Sequence, residues 1–334
     1  MNPDSSSRSI SSAPSAPAAA AVHAVNQLRH ELRKVVVGQD DIVDQVLIAL
    51  LAGGHVLLEG VPGVGKTLIV LALSRSIGAT FGRVQFTPDL MPSDITGHAM
   101  YDTATGQFRI RRGPVFVNFL LADEINRAPA KTQAALLELM QERQVTIENE
   151  ALAVPSPFMT LATQNPVEHE GTYPLPEAQL DRFLLKVRMS YPTLEHENAI
   201  VRGVTLGRVG ERLNVDAIEQ VLDLSQVASL QASVANVLVD DRVLDYGVRL
   251  VRATRAHGGL VLGAGPRGGI ALIRVARAAA VMGGRTFVTP DDVRAHALPV
   301  LRHRVSVSPE LAVEGLDVDR VLNAALDTVE APRS

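Results

Sequence analysis

The 334-residue sequence predicts an α/β fold, with a five-stranded parallel sheet between helices, followed by a smaller all-α domain. Three observations carry this. A glycine-rich turn at 60–67 joins a short apolar run to a segment of helical periodicity. The run Val115 to Ala122 is apolar almost throughout, as in a strand buried on both faces of a parallel sheet, and two carboxylates follow it. Beyond about residue 212, one stretch of helical periodicity follows another.

In chain order, residues 1–20 are Ser, Ala and Pro with little else, and read as a disordered tail. From Ala21 to Val36, residues Val22, Val25, Leu28 and Leu32 share one side of a helix. Val37-Gly38-Gln39 breaks the pattern, and taken alone is a helix-ending glycine turn. Asp41 to Leu51 is a second helix, His55 to Leu58 the first strand, and Leu68 to Ile77 a third helix.

Between that strand and helix lies Gly60-Val61-Pro62-Gly63-Val64-Gly65-Lys66-Thr67, which fits G-x-x-x-x-G-K-[ST]. The glycines let backbone N–H groups turn inward where side chains would obstruct them, and the helix start adds unpaired N–H groups and partial positive charge. This is the pattern of a triphosphate site, with Lys66 reaching the β- and γ-phosphates and the Thr67 hydroxyl ligating Mg²⁺. Leu68 opens the helix beside it.

Arg83 to Phe86 is a short strand, and 87–112 is irregular, with one hairpin arm at Gln107 to Ile110. Asp123 and Glu124 then sit at the carboxyl end of the Val115 to Ala122 strand, where open α/β sheets bind ligands. Asp123 is assigned to the Mg²⁺ and Glu124 to the proton of an attacking water. Lys131 to Arg143 is a strong helix, 144–154 a hairpin, and Phe158 to Ala162 a strand. Asn165 follows that strand; it suits a water-orienting role, yet asparagine before proline is ordinarily a turn residue. Phe183 to Val187 is the fifth strand. Helices follow at Glu195 to Arg202, Asp216 to Leu224, Asp240 to Ala256, Arg267 to Met282 and Pro290 to Leu301, and a turn or two falls within Asp317 to Ser334. Thr289-Pro290-Asp291-Asp292 is a helix-start signature.

The stretch Leu121-Ala122-Asp123-Glu124-Ile125-Asn126-Arg127-Ala128-Pro129-Ala130-Lys131-Thr132-Gln133 resembles the MoxR family of AAA+ ATPases. So do Ala162 to Pro166, Gly171 to Phe183 and Gly265-Pro266-Arg267, and the likeness runs from about Glu31 to about Leu301. The magnesium-chelatase motor subunit is related, but the residues around Asp123 and Arg182 look more like MoxR.

The resemblance implies further roles. Asn165 matches the first sensor, which positions the lytic water. Arg182 matches the arginine finger that reaches a neighbouring subunit's γ-phosphate. Arg267 matches the second sensor, on a lid helix, contacting the γ-phosphate of its own subunit. Val37-Gly38-Gln39 matches the segment along the adenine. Arg127 is a weaker candidate for crossing a subunit interface. The implied organisation is a tail over 1–20, an AAA+ domain over 21–202 and a linker over 203–211, with a helical lid over 212–330. The AAA+ domain carries a helix-2 insertion at 87–112 and a pre-sensor hairpin at 144–154.

Composition narrows the function. There is no cysteine, hence no disulfide, thiolate metal site or thiol nucleophile, and no tryptophan. A net charge of −4 and 4% aromatic residues argue against a general nucleic-acid surface. No apolar run is long enough to span a bilayer, and no secretory signal is evident, so a cytoplasmic protein is expected. The expectation is an ATP-hydrolysing homo-oligomer, a hexameric ring, using ATP/ADP and Mg²⁺. The resemblance adds a chaperone-like role on partner proteins, including partners with a von Willebrand factor A domain. Rival readings are a nucleic-acid-dependent motor and a nucleotide-gated scaffold with little turnover.

Overall fold

The computed structural model describes residues 16–166, 172–205 and 215–332. Its first helix, α1 (Ala16–Arg33), begins five residues before the expected start. Entropy argued for a tail through residue 20, but an alanine run is the strongest helix former and Pro17 suits a first turn, so 16–20 join the helix. Residues 1–15 lie outside the described residues. Val25, Leu28 and Leu32 are buried on its inner side as the periodicity requires.

Helix α2 (Asp40–Leu51) leads into β1 (Val56–Gly60), and α3 (Lys66–Ile77) follows the glycine turn. The remaining strands of the main sheet are β2 (Phe81–Gln85), β3 (Phe119–Asp123), β4 (Met159–Gln164) and β5 (Leu185–Met189). Their order is β2-β3-β4-β1-β5, and every pairing is parallel. The expected strand from Val115 is half turn: the Val117 amide bonds back to Val115, and the Asn118 side chain holds Thr80 and the Pro157 carbonyl. The strand starts only at Phe119, opposite Phe81. Helix α4 (Ala130–Glu142) covers the sheet, and both expected hairpins form, Gly97–Asp102 with Gln107–Arg112 and Gln144–Ile147 with Glu150–Ala153.

After β5, helix α5 (Leu194–Thr205) runs past the expected linker start, and 206–214 lie outside the described residues. No helix forms over Asp216 to Asp223. That backbone bonds to other elements instead: the Val221 and Leu222 amides to Ser76, the Glu219 amide to Glu31, and the Ile218 carbonyl to Arg75. Ile218 and Leu222 are buried beneath it. Helix α6 (Leu224–Ala235) begins only where Asp223 and Gln226 cap each other reciprocally.

The lid continues with α7 (Asp241–Ala256) and α8 (Pro266–Met282), then short helices at Pro290–Ala295, Ala297–Leu301, Pro309–Val313 and Val318–Leu326. It is helical but not wholly so, since Leu260–Leu262 pairs with Ser306–Val307. The apolar face of α8 joins the same core as α1 and α2. Side chains fix that docking: Gln231 donates to the Leu50 carbonyl at 2.7 Å and Arg274 to Ala52 at 2.6 Å and Gly53 at 3.1 Å. The lid therefore sits on the end of α2 that precedes β1.

Candidate nucleotide site

The glycine turn leaves β1 at Gly60, and Gly63 and Gly65 both adopt left-handed φ, +84° and +87°. That is the region open to glycine and strained for other residues. A Cβ at either would meet nothing within 4 Å, so the loop encloses open space with α3 starting at its edge. Lys66 folds back onto the Gly60 carbonyl. Gln39, the residue preceding α2, donates its side-chain amide to the Val64 carbonyl at 2.8 Å, tying the expected adenine segment to the loop. The Gln39 Oε1 is buried without a hydrogen-bond partner among the described residues, an acceptor beside the place where a base would lie.

Asp123 ends β3, and Glu124 follows in a left-handed conformation, φ 57°, uncommon outside glycine and frequent at active sites. The parallel register sets Asp123 opposite Gln85 and aligns Leu58 with Thr163. The Thr163 hydroxyl donates to Asp123 Oδ1 at 2.6 Å, and Arg83 Nη2 donates to Asp123 Oδ2 at 2.7 Å. Glu124 Oε2 accepts from Gln85 at 2.7 Å and lies 3.0 Å from Arg127 Nε. Asn165 is buried, one residue past the Glu59–Gln164 pair, so it lies beside the phosphate loop at the carboxyl end of β4. The sheet thus brings Lys66, Thr67, Asp123, Glu124 and Asn165 to one end, beyond the carboxyl ends of β1, β3 and β4.

A hydroxyl at Thr67 and a carboxylate at Asp123 form an all-oxygen donor pair. That set fits Mg²⁺, which keeps most of its waters and takes one or two protein ligands beside substrate phosphates. The open cradle and the unpartnered Gln39 oxygen fit a nucleotide.

Arg182 and Arg267 lie elsewhere. They line a cleft of about 370 Å³ with Gly53, Gly54 and His55, the residues that precede β1. The phosphate loop follows the other end of β1, and a strand of five residues spans about 16 Å. Arg267 is in the first turn of α8, as Pro266 implies, but its guanidinium is 3.7 Å from Asp181. This corrects the expectation that Arg267 meets the γ-phosphate of its own subunit: the lid docks on the wrong end of α2 for that. Asp181, beside Arg182 in sequence, pairs with Arg304 and Arg267.

Arg304, a lid residue that sequence reasoning passed over, is buried in this cleft. It donates to Asp181 Oδ1 at 2.8 Å and to the Phe183 and Leu184 carbonyls, holding the turn that carries Arg182. Burial pushes its pKa down, and Asp181 opposes that. Arg274 is also pushed down, by burial first and then by nearby Arg143. Arg143, Arg182, Arg267, Arg274 and Arg304 line the cleft with Asp181, the one carboxylate among the described residues there, so its lining is strongly basic. Arg83, Gln85 and Thr163 were likewise unmarked in the sequence.

A β2-β3-β4-β1-β5 sheet with a phosphate loop after β1, an acidic pair after β3 and a helical lid beyond β5 defines a P-loop module of the AAA+ class. Residues 55–185 match the ATPase family associated with various cellular activities (AAA), and 252–324 match the AAA lid domain. Chaperone MoxR1 of Mycobacterium tuberculosis is 44% identical over 93% of this chain and 83% of its own. The uncharacterized protein YeaC of Bacillus subtilis is 46% identical over 90% and 92%, and Protein MoxR of Methylorubrum extorquens 32% over 92% and 95%. A crystal structure from Cytophaga hutchinsonii superposes with a TM-score of 0.86 at 39% identity, covering 95% of this chain and 97% of that one. The chain belongs to the MoxR family of AAA+ ATPases.

Proposed function

We propose that the chain hydrolyses ATP as a subunit of a ring, a hexamer, in which each site is completed by its neighbour. One observation carries this reading: the phosphate loop and acidic pair occupy one end of the sheet, and Arg182 and Arg267 the other. A head-to-tail repeat brings the two ends together, and such repeats close into rings when their rotation permits.

Within a subunit, the 60–67 loop holds the phosphates, and Val37-Gly38-Gln39 lies along the adenine. Thr67 and Asp123 would hold Mg²⁺, which would supply charge neutralisation of the phosphates. Asn165 orients the lytic water and Glu124 takes its proton as base. Arg182 and Arg267 of the preceding subunit stabilise the charge that builds on the γ-phosphate. Glu124 is engaged by Gln85 and Arg127, so it leaves them to reach the water.

The work done is chaperone-like, the maturation or remodelling of partner proteins in the cytoplasm, including partners with a von Willebrand factor A domain. A relative named Chaperone MoxR1 supports this. No helix among the described residues is long and apolar enough to cross a membrane. Mixing tests the shared site. Lys66→Ala lacks nucleotide binding and Arg182→Ala lacks the finger, so each alone is inactive. Mixed under subunit exchange, they place an intact Arg182 beside an intact loop at some interfaces, and activity returns. Mixed oligomers, verified by native mass spectrometry, that stay inactive would remove the shared site.

A further inference from the structure

Helix α5 has no residue buried on this chain, although its sequence is amphipathic. Leu194, Val201 and Val204 are 78%, 54% and 48% exposed. At 100° per residue they fall on one arc of the helix, with Glu197 among them. A monomer gains nothing from such a stripe left in water, and contiguous exposed apolar surface marks an interaction site.

A complementary surface lies on the lid. Between α7 and α8 runs an apolar groove of about 480 Å³ whose floor includes Leu244, Val248, Ile270 and Ile273. Leu244, Val248 and Ile270 are 46%, 44% and 61% exposed. Arginines Arg252, Arg255, Arg274 and Arg277 rim it, and among the described residues no carboxylate lines it. The Arg277 Nε is buried without a hydrogen-bond partner among the described residues.

The stripe and the groove cannot meet within one chain. Helix α5 follows the carboxyl end of β5, and His196 packs so closely on Gly38 that any side chain there would collide with it, so α5 stands beside the nucleotide site. The groove shares Ile270 and Arg274 with the Arg182–Arg267 cleft at the far end of the sheet.

We infer that the Leu194–Val201–Val204 stripe of α5 docks in the α7–α8 groove of the preceding copy of this chain, with Glu197 directed at the arginine rim. The occupant is a second copy for two reasons. The stripe brings the acid that the groove lacks. The head-to-tail step that carries a nucleotide site to a neighbour's Arg182 also carries α5 toward that neighbour's groove. The inference rests on the ring reading and adds its specific contact: the helix beside each nucleotide is seated on the lid that supplies the arginines.

The chain contains no cysteine, which makes the contact directly testable. Val201→Cys and Val248→Cys, mixed as single variants with ATP and a short bis-maleimide, should give crosslinked heterodimers, while neither variant alone crosslinks. The double variant should give a ladder up to the full ring. Val201→Cys with Val313→Cys, which is 89% exposed in the lid, is the control for random encounter. Val201→Asp should raise the protein concentration for half-assembly by about tenfold or more, and Val201→Ile should not. If native mass spectrometry shows a ring and Lys66/Arg182 mixing restores activity, yet the Val201–Val248 link forms no faster than the control, the docking is wrong and the ring stands. Links between two Val201→Cys copies, or within one chain, also overturn it. An ATP-bound chain that stays monomeric overturns both.

Discussion

Thr163 donates its hydroxyl to Asp123 Oδ1 at 2.6 Å and with the same oxygen accepts the amide of Glu124 at 2.8 Å. One side chain on β4 therefore aligns both members of the acidic pair on β3. Replacing it with valine keeps the shape and leaves the Glu124 amide unmatched. A hydrogen bond to a charged group contributes about 1.5–3 kcal/mol. Thr163→Val should lower ATP hydrolysis about tenfold to a hundredfold and raise the Mg²⁺ concentration for half-maximal rate, whereas Thr163→Ser keeps most of both. Phosphate release measured across a Mg²⁺ titration checks this, and a valine variant indistinguishable from wild type would remove Thr163 from the site.

Glu124→Gln should bind ATP with near-normal affinity and lose about 10²–10⁴ in hydrolysis, the usual worth of general-base catalysis. Glutamine matches the shape, so the fold around the site survives while the proton acceptor is gone. Nucleotide affinity by fluorescence and turnover by phosphate release separate the two. Near-normal turnover would assign the base elsewhere.

These residues differ in how legible they were. The phosphate loop, Asp123 and Glu124 stand out because their chemistry is local: a glycine spacing, a strand end, a helix start. Thr163, Arg83 and Gln85 do not, because each meets the acidic pair through a parallel register joining strands about forty residues apart. The end of the sheet at which Arg267 lies was illegible for a similar reason, since periodicity places it at the start of α8 but only the Arg274 and Gln231 bonds to the end of α2 decide where α8 sits. Asp216 to Leu224 reads as helix by periodicity, yet the Glu219, Val221 and Leu222 amides find acceptors on α1 and α3. In the same way Ala16 to Ala20 looked too simple to order, but helix propensity alone extends α1 through it.

The Gln39–Val64 bond predicts a binding defect without a chemical one. Gln39→Ala removes the donor to the loop carbonyl and leaves a buried acceptor unmatched, a loss of about 1–3 kcal/mol. ATP and ADP affinity should both fall about tenfold or more, with turnover at saturating ATP changing little. Isothermal titration beside steady-state kinetics checks this, and unchanged affinity would mean that the loop holds its shape without Gln39.

His55 gives a pH dependence. It is buried just before β1, where its Nδ1 accepts the Thr160 amide at 2.9 Å and its Nε2 faces the Met140 carbonyl at 3.0 Å. Burial lowers its pKa to about 4, with Arg143 and Arg274 adding to the shift and the Met140 bond opposing it. In the unfolded chain it titrates near 6.5. Between those values the unfolded chain binds the extra proton, so this contribution is complete above pH 6.5 and is lost as pH falls toward 4. Its size is about 3 kcal/mol at most. His303 is also depressed by burial and acts in the same direction. The thermal midpoint should therefore drop between pH 7 and pH 5, and less steeply in His55→Gln; equal slopes would place the effect on other groups.

Arg304 supports Arg182 from beneath, and that predicts which variants can rescue one another. Its guanidinium bonds Asp181 and the Phe183 and Leu184 carbonyls, so Arg304→Lys keeps a charge but loses the planar fork that holds several acceptors at once. The turn carrying Arg182 should loosen while the phosphate loop, at the other end of β1, stays intact. Arg304→Lys should therefore bind ATP normally and hydrolyse it slowly, the outcome also expected of Arg182→Ala, though less severely. Mixing separates this from general damage. Combined with Lys66→Ala, it should recover activity, because the Lys66 variant supplies a well-held Arg182 to the intact loop of Arg304→Lys. Combined with Arg182→Ala it should recover nothing, since neither chain offers a properly placed finger. Rescue by Arg182→Ala, with a melting temperature near wild type, would show that Arg304 serves the nucleotide-binding end and not the cleft.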